Sequence, residues 1–468
     1  MEFIFYDMAF LILFVLVIAG VLYSRRKNIK KEGLLLLYKT EWGIRFIEKV
    51  GKKYKRTLKI LSYVSITMGY FLMAGVFYLF GKIFWIYLTK SEIVRQIKIP
   101  PIMPLVPYID KIIPGFPPFY FAYFIIILAI IAIPHEFAHG IFAAYNKIKI
   151  KKTGFGFFPF FFPVFLAAFV EPDEKQMQKK GKFGQMAILS AGTFANLLTA
   201  IFFFFIILLF FSLSFNQTGV IFDDYAFSIV ETISITMVNN IPLSNPNYEQ
   251  ISGLMKKEGF NEIIAGEKKY LGVRNVLEQG EELQLYDDTP AIRSGLGKII
   301  TQIDGINTEN FELFTQKLSE KSPGETIMIE TFEKGEKKNY EIILSESPYR
   351  KNTAWLGIYF LGTPAIIENH YTIIPLIGKT NTFYQSFDST GFILFIYNLL
   401  EWTILISLSV ALVNMLPVGI FDGGRFFYLT IWGITKREKI GKKAFKFMTY
   451  LFLLILLLMM VSWALNVF

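Results

Sequence analysis

Two histidines and a glutamate in the run HEFAH, residues 135–139, are the side chains of this sequence best suited to chemistry. On a helix, positions four apart share one face, so His135 and His139 can offer two imidazole nitrogens to one metal ion. Zinc fits such a pair, and Glu136 between them is placed to act as a base toward a zinc-activated water. The motif lies inside the apolar run FYFAYFIIILAIIAIPHEFAHGIFAAY, where ionisable groups are costly and mark function by default. The chain has only three histidines, and two of them are here. A pair of core histidines hydrogen-bonded between helices would leave Glu136 buried in lipid without a compensating partner; a metal ion supplies one.

Two histidines leave zinc underligated, because catalytic sites use three protein ligands and keep a further position for water. The remaining histidine, His370, stands at the edge of a charged segment on the opposite side of the membrane and reads as a surface residue. Asp422, in NMLPVGIFDGGRFF, is the better third ligand. Isolated Asp-Gly pairs are mostly turns, but Pro417 and Gly419 should end the preceding span, and topology brings Asp422 to the same face as HEFAH. A tension in depth accompanies this. His139 is about 12 Å of helical rise from its basic flank, whereas Asp422 is three residues from Arg425. Either the DGG segment re-enters, or a water-filled funnel reaches the metal. Peptide hydrolysis also needs donors for the developing oxyanion. Asn196, in SAGTFANLLTA, and Asn414 are the candidates; the alternative for each is a hydrogen bond between helices, with Ala191, Gly192 and Ala195 favouring close packing around the first.

The elements that must position these residues are membrane helices. Of 468 residues, 53% are apolar and 50 are Phe, which excludes an ordinary soluble surface. Without Cys, disulfides, thiol nucleophiles and cysteine zinc sites are excluded. The net charge of +10 resides in Lys and Arg beside apolar runs, as cytoplasmic loops require, and no basic reading module points to nucleic acid. Hydropathy predicts about six spans, each long enough for a bilayer, at residues 4–23, 61–86, 119–145, 183–213, 392–417 and 447–468. The basic segments 24–60, 147–182 and 425–446 then fall on one side, so the positive-inside rule places them in the cytoplasm and both termini outside. The first span lacks a basic leader and a small-residue cleavage site, so it is expected to stay as a membrane helix. Residues 99–119 are Pro-rich and should form an irregular outer loop. Residues 153–174 are apolar but broken by Gly154, Gly156, Pro159 and Pro163, and are expected to be a membrane-associated loop with some strand character. Residues 216–371 have the composition of a soluble domain, expected to be α+β, and the alternation of spans places it outside the cytoplasm. Their runs DDTPAIRSGL, KIITQIDGI, FELFTQKLSEKS and PGETIMIETFEKGEKKNYEIIL follow the order turn, strand, helix, hairpin, with Gly335 in the hairpin turn.

HEFAH in one span, AGTFANLL in the next and NMLPVGIFDGGRF in a later one resemble the site-2 protease family of intramembrane zinc metalloproteases. That resemblance implies one zinc per chain held by His135, His139 and Asp422, with Glu136 as base and Asn196 in substrate or oxyanion contacts. It implies transmembrane proteins as substrates and the membrane lipid as surroundings, leaves the oligomeric state open, and makes residues 153–170 an edge to which an unwound substrate adds as a strand. The organisation it suggests is an accessory N-terminal region at 1–118, a protease core at 119–215 and 372–427, a PDZ-like insertion at 216–371 and a C-terminal span at 428–468. The segment up to Tyr286 exceeds a compact PDZ domain, so size filtering of substrates stands beside peptide binding as its role. A chamber-type membrane protease would instead take its third ligand from a downstream helical Glu, and Glu171 and Glu174 lie in a Pro-containing loop. A metal carrier or an inactive regulator is the reading from another class, and the presence of Glu136 speaks against the inactive form.

Overall fold

The computed structural model describes residues 3–26, 29–32, 35–90, 93–95, 100–101, 105–111, 118–157, 166–274, 280–333, 335–368, 370–372, 374, 376–388 and 390–467. The chain divides into two compact units, Met1–Leu209 with Leu394–Phe468, and Phe210–Ile393. The helices that bear on the site are α1 (Phe3–Ser24), α2 (Ile44–Lys53), α3 (Lys55–Thr89), α4 (Phe121–Tyr145), α5 (Glu174–Gln178), α6 (Lys182–Ser214), α7 (Phe392–Val413), α8 (Asp422–Thr435) and α9 (Glu438–Val467). Six of them, α1, α3, α4, α6, α7 and α9, are long and apolar enough to cross a membrane. In lipid each backbone polar group must be satisfied within its own segment, which is why these runs are helical. Leu16, Phe71, Phe205 and Leu457 are exposed on their outer faces, as contact with acyl chains requires.

Small residues carry the inner packing, as is usual between membrane helices. Ser65 and Gly69 of α3 are buried; Ser190 of α6 donates to Ser65 at 3.2 Å. The fifth span ends at Val413 rather than residue 417, because residues 414–421 turn tightly back. The Gly423 N–H donates to the Asn414 carbonyl at 2.7 Å. A side chain at Gly423 would strike the Met415 backbone, and one at Gly424 the Val418 carbonyl, so the two glycines permit the return. The sixth span is helical from Glu438 rather than 447. The basic stretch 425–446 is not a loop: it is α8 and the start of α9, separated at Lys436, whose φ is 58°. Phe426 and Leu429 bury one face of α8, and that burial outweighs the solubility of its charged neighbours.

The basic segment 24–60 is also more than a loop. It supplies β1 (Ile29–Glu32) and β2 (Leu35–Thr40), which join β3 (Ile150–Phe157) and β4 (Leu166–Pro172) in an antiparallel sheet of order β1-β2-β3-β4. The expected strand character of residues 153–174 is thus present in β3 and β4, while 158–165 lie outside the described residues. Gly154 lets β2 approach, since a side chain there would meet the Tyr38 carbonyl. Within the Pro-rich stretch, Ile109–Lys111 form a single 3-10 turn; residues 102–104 and 112–117 are outside the described set.

The unit Phe210–Ile393 is wider than the predicted domain at 216–371. An eight-stranded sheet contains Phe215–Ile221, Ile299–Ile303, Thr326–Glu333, Glu336–Ile343 and Thr382–Ser386, around a core that includes Val220, Ile300 and Ile329. Gly335, at φ 89°, turns the hairpin where the sequence placed it. The excess sequence before Tyr286 builds a second, six-stranded sheet with its own core of Val238, Ile251, Ile263 and Leu285. The backbone of His370 pairs with Ile367 in a short strand of this unit.

Asp7, the one ionisable residue of α1 with a carboxylate, is 2% exposed. Its carboxylate accepts from the Phe121 N–H at 2.7 Å, the Ala122 N–H at 2.9 Å and the Tyr108 hydroxyl at 2.8 Å. The N-cap residue of α4, Tyr120, offers no side-chain cap. A carboxylate from another span therefore satisfies the free N–H groups at the start of the helix that carries HEFAH, where the helix dipole also favours an anion. Asp7→Ala should lower stability by about 1–3 kcal/mol, read by thermal unfolding in detergent, and Asp7→Asn, which keeps an acceptor, should lose less.

Candidate metal centre

HEFAH occupies the second half of α4, one turn separating its histidines, and α6 runs antiparallel beside it. Three positions of α6 at spacing four meet the imidazoles. His139 Nδ1 lies 2.7 Å from the Ile188 carbonyl, so it must carry the proton and donate, which leaves the Nε2 lone pair free. Gly192 faces both rings, and a side chain there would collide with His139 Nε2 and His135 Cε1. Asn196, fully buried, places its amide nitrogen 3.0 Å from His135 Nδ1 and leaves its Oδ1 without a partner among the described residues. Rotating the carboxamide by 180° lets His135 Nδ1–H donate to Oδ1, which frees His135 Nε2 as well.

The free nitrogens converge. His135 Nε2 and His139 Nε2 are 3.1 Å apart. Asp422 Oδ2 lies 3.2 Å from His139 Nε2 and 3.7 Å from His135 Nε2. Donors bound tetrahedrally at about 2.0–2.1 Å stand roughly 3.3–3.4 Å from one another, so the three separations bracket what one zinc ion needs. Among the described residues these three form a group able to hold a metal ion. Asp422 reaches it from the first turn of α8, because residues 414–421 fold back on Gly423 and Gly424. The DGG segment thus folds back toward the histidines, and a cavity of about 730 Å³ opens onto the same atoms.

Glu136 is outside the metal-ligating group. Its Oε2 accepts from the Val170 N–H at 2.9 Å, so β4, the edge strand of the sheet, holds the carboxylate beside the histidines. Asn414 lines the cavity, and its carboxamide makes no hydrogen bond among the described residues. Asn196 also lines the cavity, with one end of its amide engaged by His135 and the other without a partner among the described residues. The alternative third ligands are elsewhere. Glu171 pairs with Lys39 at 3.1 Å, and Glu174 with Arg425 at 3.0 Å. Val170, Ile188 and Gly192 do not stand out in the sequence as site residues; the four-residue spacing that puts Gly192 on the same face of α6 as Asn196 is a signal for Gly192, and Val170 and Ile188 act through backbone groups.

The pattern described as Peptidase family M50 matches residues 123–459, a range that holds every residue of this group. The chain belongs to that family. This is the site-2 protease family that the three motifs resemble. Similarity also extends to the zinc metalloprotease RasP of Oceanobacillus iheyensis, 24% identical over 226 residues, 40% of this chain and 51% of that protein. The chain spans about half the length of that curated relative.

Contacts to the outer nitrogens of ligating histidines typically tune metal affinity 10–100-fold. Asn196→Leu should weaken zinc binding by about that factor in chelator competition, while Asn196→Asp, which keeps the acceptor, should stay closer to the parent. Gly192→Ala should weaken it too, by displacing both rings.

Proposed function

We propose that this chain is a multi-pass intramembrane zinc endopeptidase that hydrolyses peptide bonds in transmembrane segments of other membrane proteins. The convergence of His135, His139 and Asp422 beside Glu136, on helices long enough to cross a membrane, is the observation that carries this reading. His135, His139 and Asp422 would hold one zinc ion. Bound there, zinc would polarise the substrate carbonyl and lower the pKa of water. Glu136, fixed by the Val170 N–H, is placed to take the proton of the attacking water and pass it to the leaving amine. Asn414 faces the cavity with its carboxamide available to a substrate carbonyl or the developing oxyanion.

A helical substrate hides its backbone, so it must unwind locally before cleavage. The edge strand β4 lines the cavity through Ala168 and Val170, which supports addition of the unwound segment as a further strand. The positive-inside argument puts the site toward the cytoplasm and residues 216–371 outside. The short helix Pro290–Ser294, the strand Ile299–Ile303, the helix Phe311–Ser319 and the hairpin that follows have the order of a PDZ-like fold. The added six-stranded sheet favours a filter against bulky ectodomains.

Glu136→Gln, reconstituted with a model single-span substrate, should retain about one zinc per chain and leave the substrate uncut, a loss of at least about 10²-fold. Chelation should silence the parent enzyme, and added zinc should restore it. Unchanged cleavage by the Gln variant would refute the assigned base, and metal uptake into vesicles without any cleavage would favour a carrier.

A further inference from the structure

We infer that α2 and the first turn of α3 form a binding surface for anionic phospholipid headgroups that braces the helix carrying HEFAH. The lipid association stands alone; the bracing rests on the proposed protease reading.

Helix α2 is strongly amphipathic. Its inner face holds Ile47, fully buried, and Gly51. A side chain at Gly140, the residue after His139, would touch Ile47 and Val170 at 3.0 and 3.1 Å. One at Gly51 would be 2.8 Å from Ala144 Cβ. The Phe137 ring of HEFAH stands 5.5 Å from Trp42 and 6.1 Å from Phe46. Helix α2 thus packs on α4 along the metal-site turns, and the same Gly140 also faces Val170, the strand residue that holds Glu136.

The outer side has a different character. Trp42 and Phe46 are 61% and 55% exposed, a poor arrangement in water and a good one at a lipid interface. Seven Lys or Arg between residues 45 and 59 are all exposed, against one acid. That acid, Glu48, pairs with Lys52 at 2.7 Å; Lys49 and Lys53 form no ion pair among the described residues, and Glu41, the acid near Arg45, is already bound to Lys152 at 2.7 Å. Only Tyr54 separates α2 from the membrane-spanning α3, which places these charges where the span meets the headgroups. Orientation by the positive-inside rule needs basic residues in such a segment. It needs neither exposed aromatic rings beside them nor a tight seat on the catalytic helix. Phosphate-bearing headgroups complement the charges, and acyl chains complement the rings.

The test uses the full chain in nanodiscs of phosphatidylcholine, with and without phosphatidylglycerol. The triple variant Arg45→Gln, Lys49→Gln, Lys53→Gln is compared with a control carrying Lys256→Gln, Lys257→Gln and Lys268→Gln. Association of a fluorescent phosphatidylglycerol, measured without substrate, should weaken about fivefold per charge removed from α2, about a hundredfold in all, and hold in the control. Cleavage by the parent should rise with phosphatidylglycerol, that rise should vanish in the α2 variant, and inorganic phosphate should not replace the lipid. Equal lipid association in the α2 variant and the control would overturn the site. Lost association with an unchanged lipid response of cleavage would overturn the bracing. Absence of cleavage by the parent in every lipid would sink the protease reading and the bracing with it, while the association data would still decide the lipid site.

Discussion

Two imidazoles held one helical turn apart, with their Nε2 atoms 3.1 Å from each other, are the constraint on which the membrane unit is built. Each ring needs a partner for its other nitrogen, or the tautomer and orientation are lost. Helix α6 supplies both, the Ile188 carbonyl to His139 and Asn196 to His135, and Gly192 between them leaves room for the rings. That arrangement demands an antiparallel helix at close range. The buried small residues of α3 and α6, tied by Ser190 to Ser65, provide the neighbouring support.

The remaining parts converge on the same helix. Asp422 comes in on a chain that reverses after α7, a reversal allowed by two glycines with backbone packed where side chains would be. Glu136 is fixed from the sheet side by Val170. The N-terminal region has three attachments: Asp7 caps the start of α4, β1 and β2 extend the sheet that holds Glu136, and α2 seats on Phe137 and Gly140. Segments that look accessory in sequence are therefore bound to the site helix at its beginning and at its metal-site turns.

The parts legible in sequence are those with local signatures. HEFAH declares itself by spacing, the spans by apolar length, and the hairpin at Gly335 by its turn residue. Asp422 is reachable only through topology, and its depth is ambiguous because a tight reversal has no periodic signal. The roles of Ile188 and Val170 depend on backbone groups, which every residue has, so their identities carry no mark. Asn196 is visible as a polar residue in a span, but its partner is fixed by helix pairing, and the contact is to His135. Segments 24–60 and 425–446 read as loops because their Lys and Arg dominate composition. The apolar faces of α2 and α8, spaced at helical period within those charges, give them their structure.

The central claim is that His135, His139 and Asp422 together ligate one zinc ion. Zinc K-edge absorption on the purified, catalytically intact chain tests it most directly. Two imidazole nitrogens and carboxylate or water oxygen at about 2.0–2.1 Å are expected, with one imidazole missing in His139→Ala and the oxygen shell altered in Asp422→Ala. A spectrum with fewer than two imidazoles, or one unchanged by either substitution, would contradict the account.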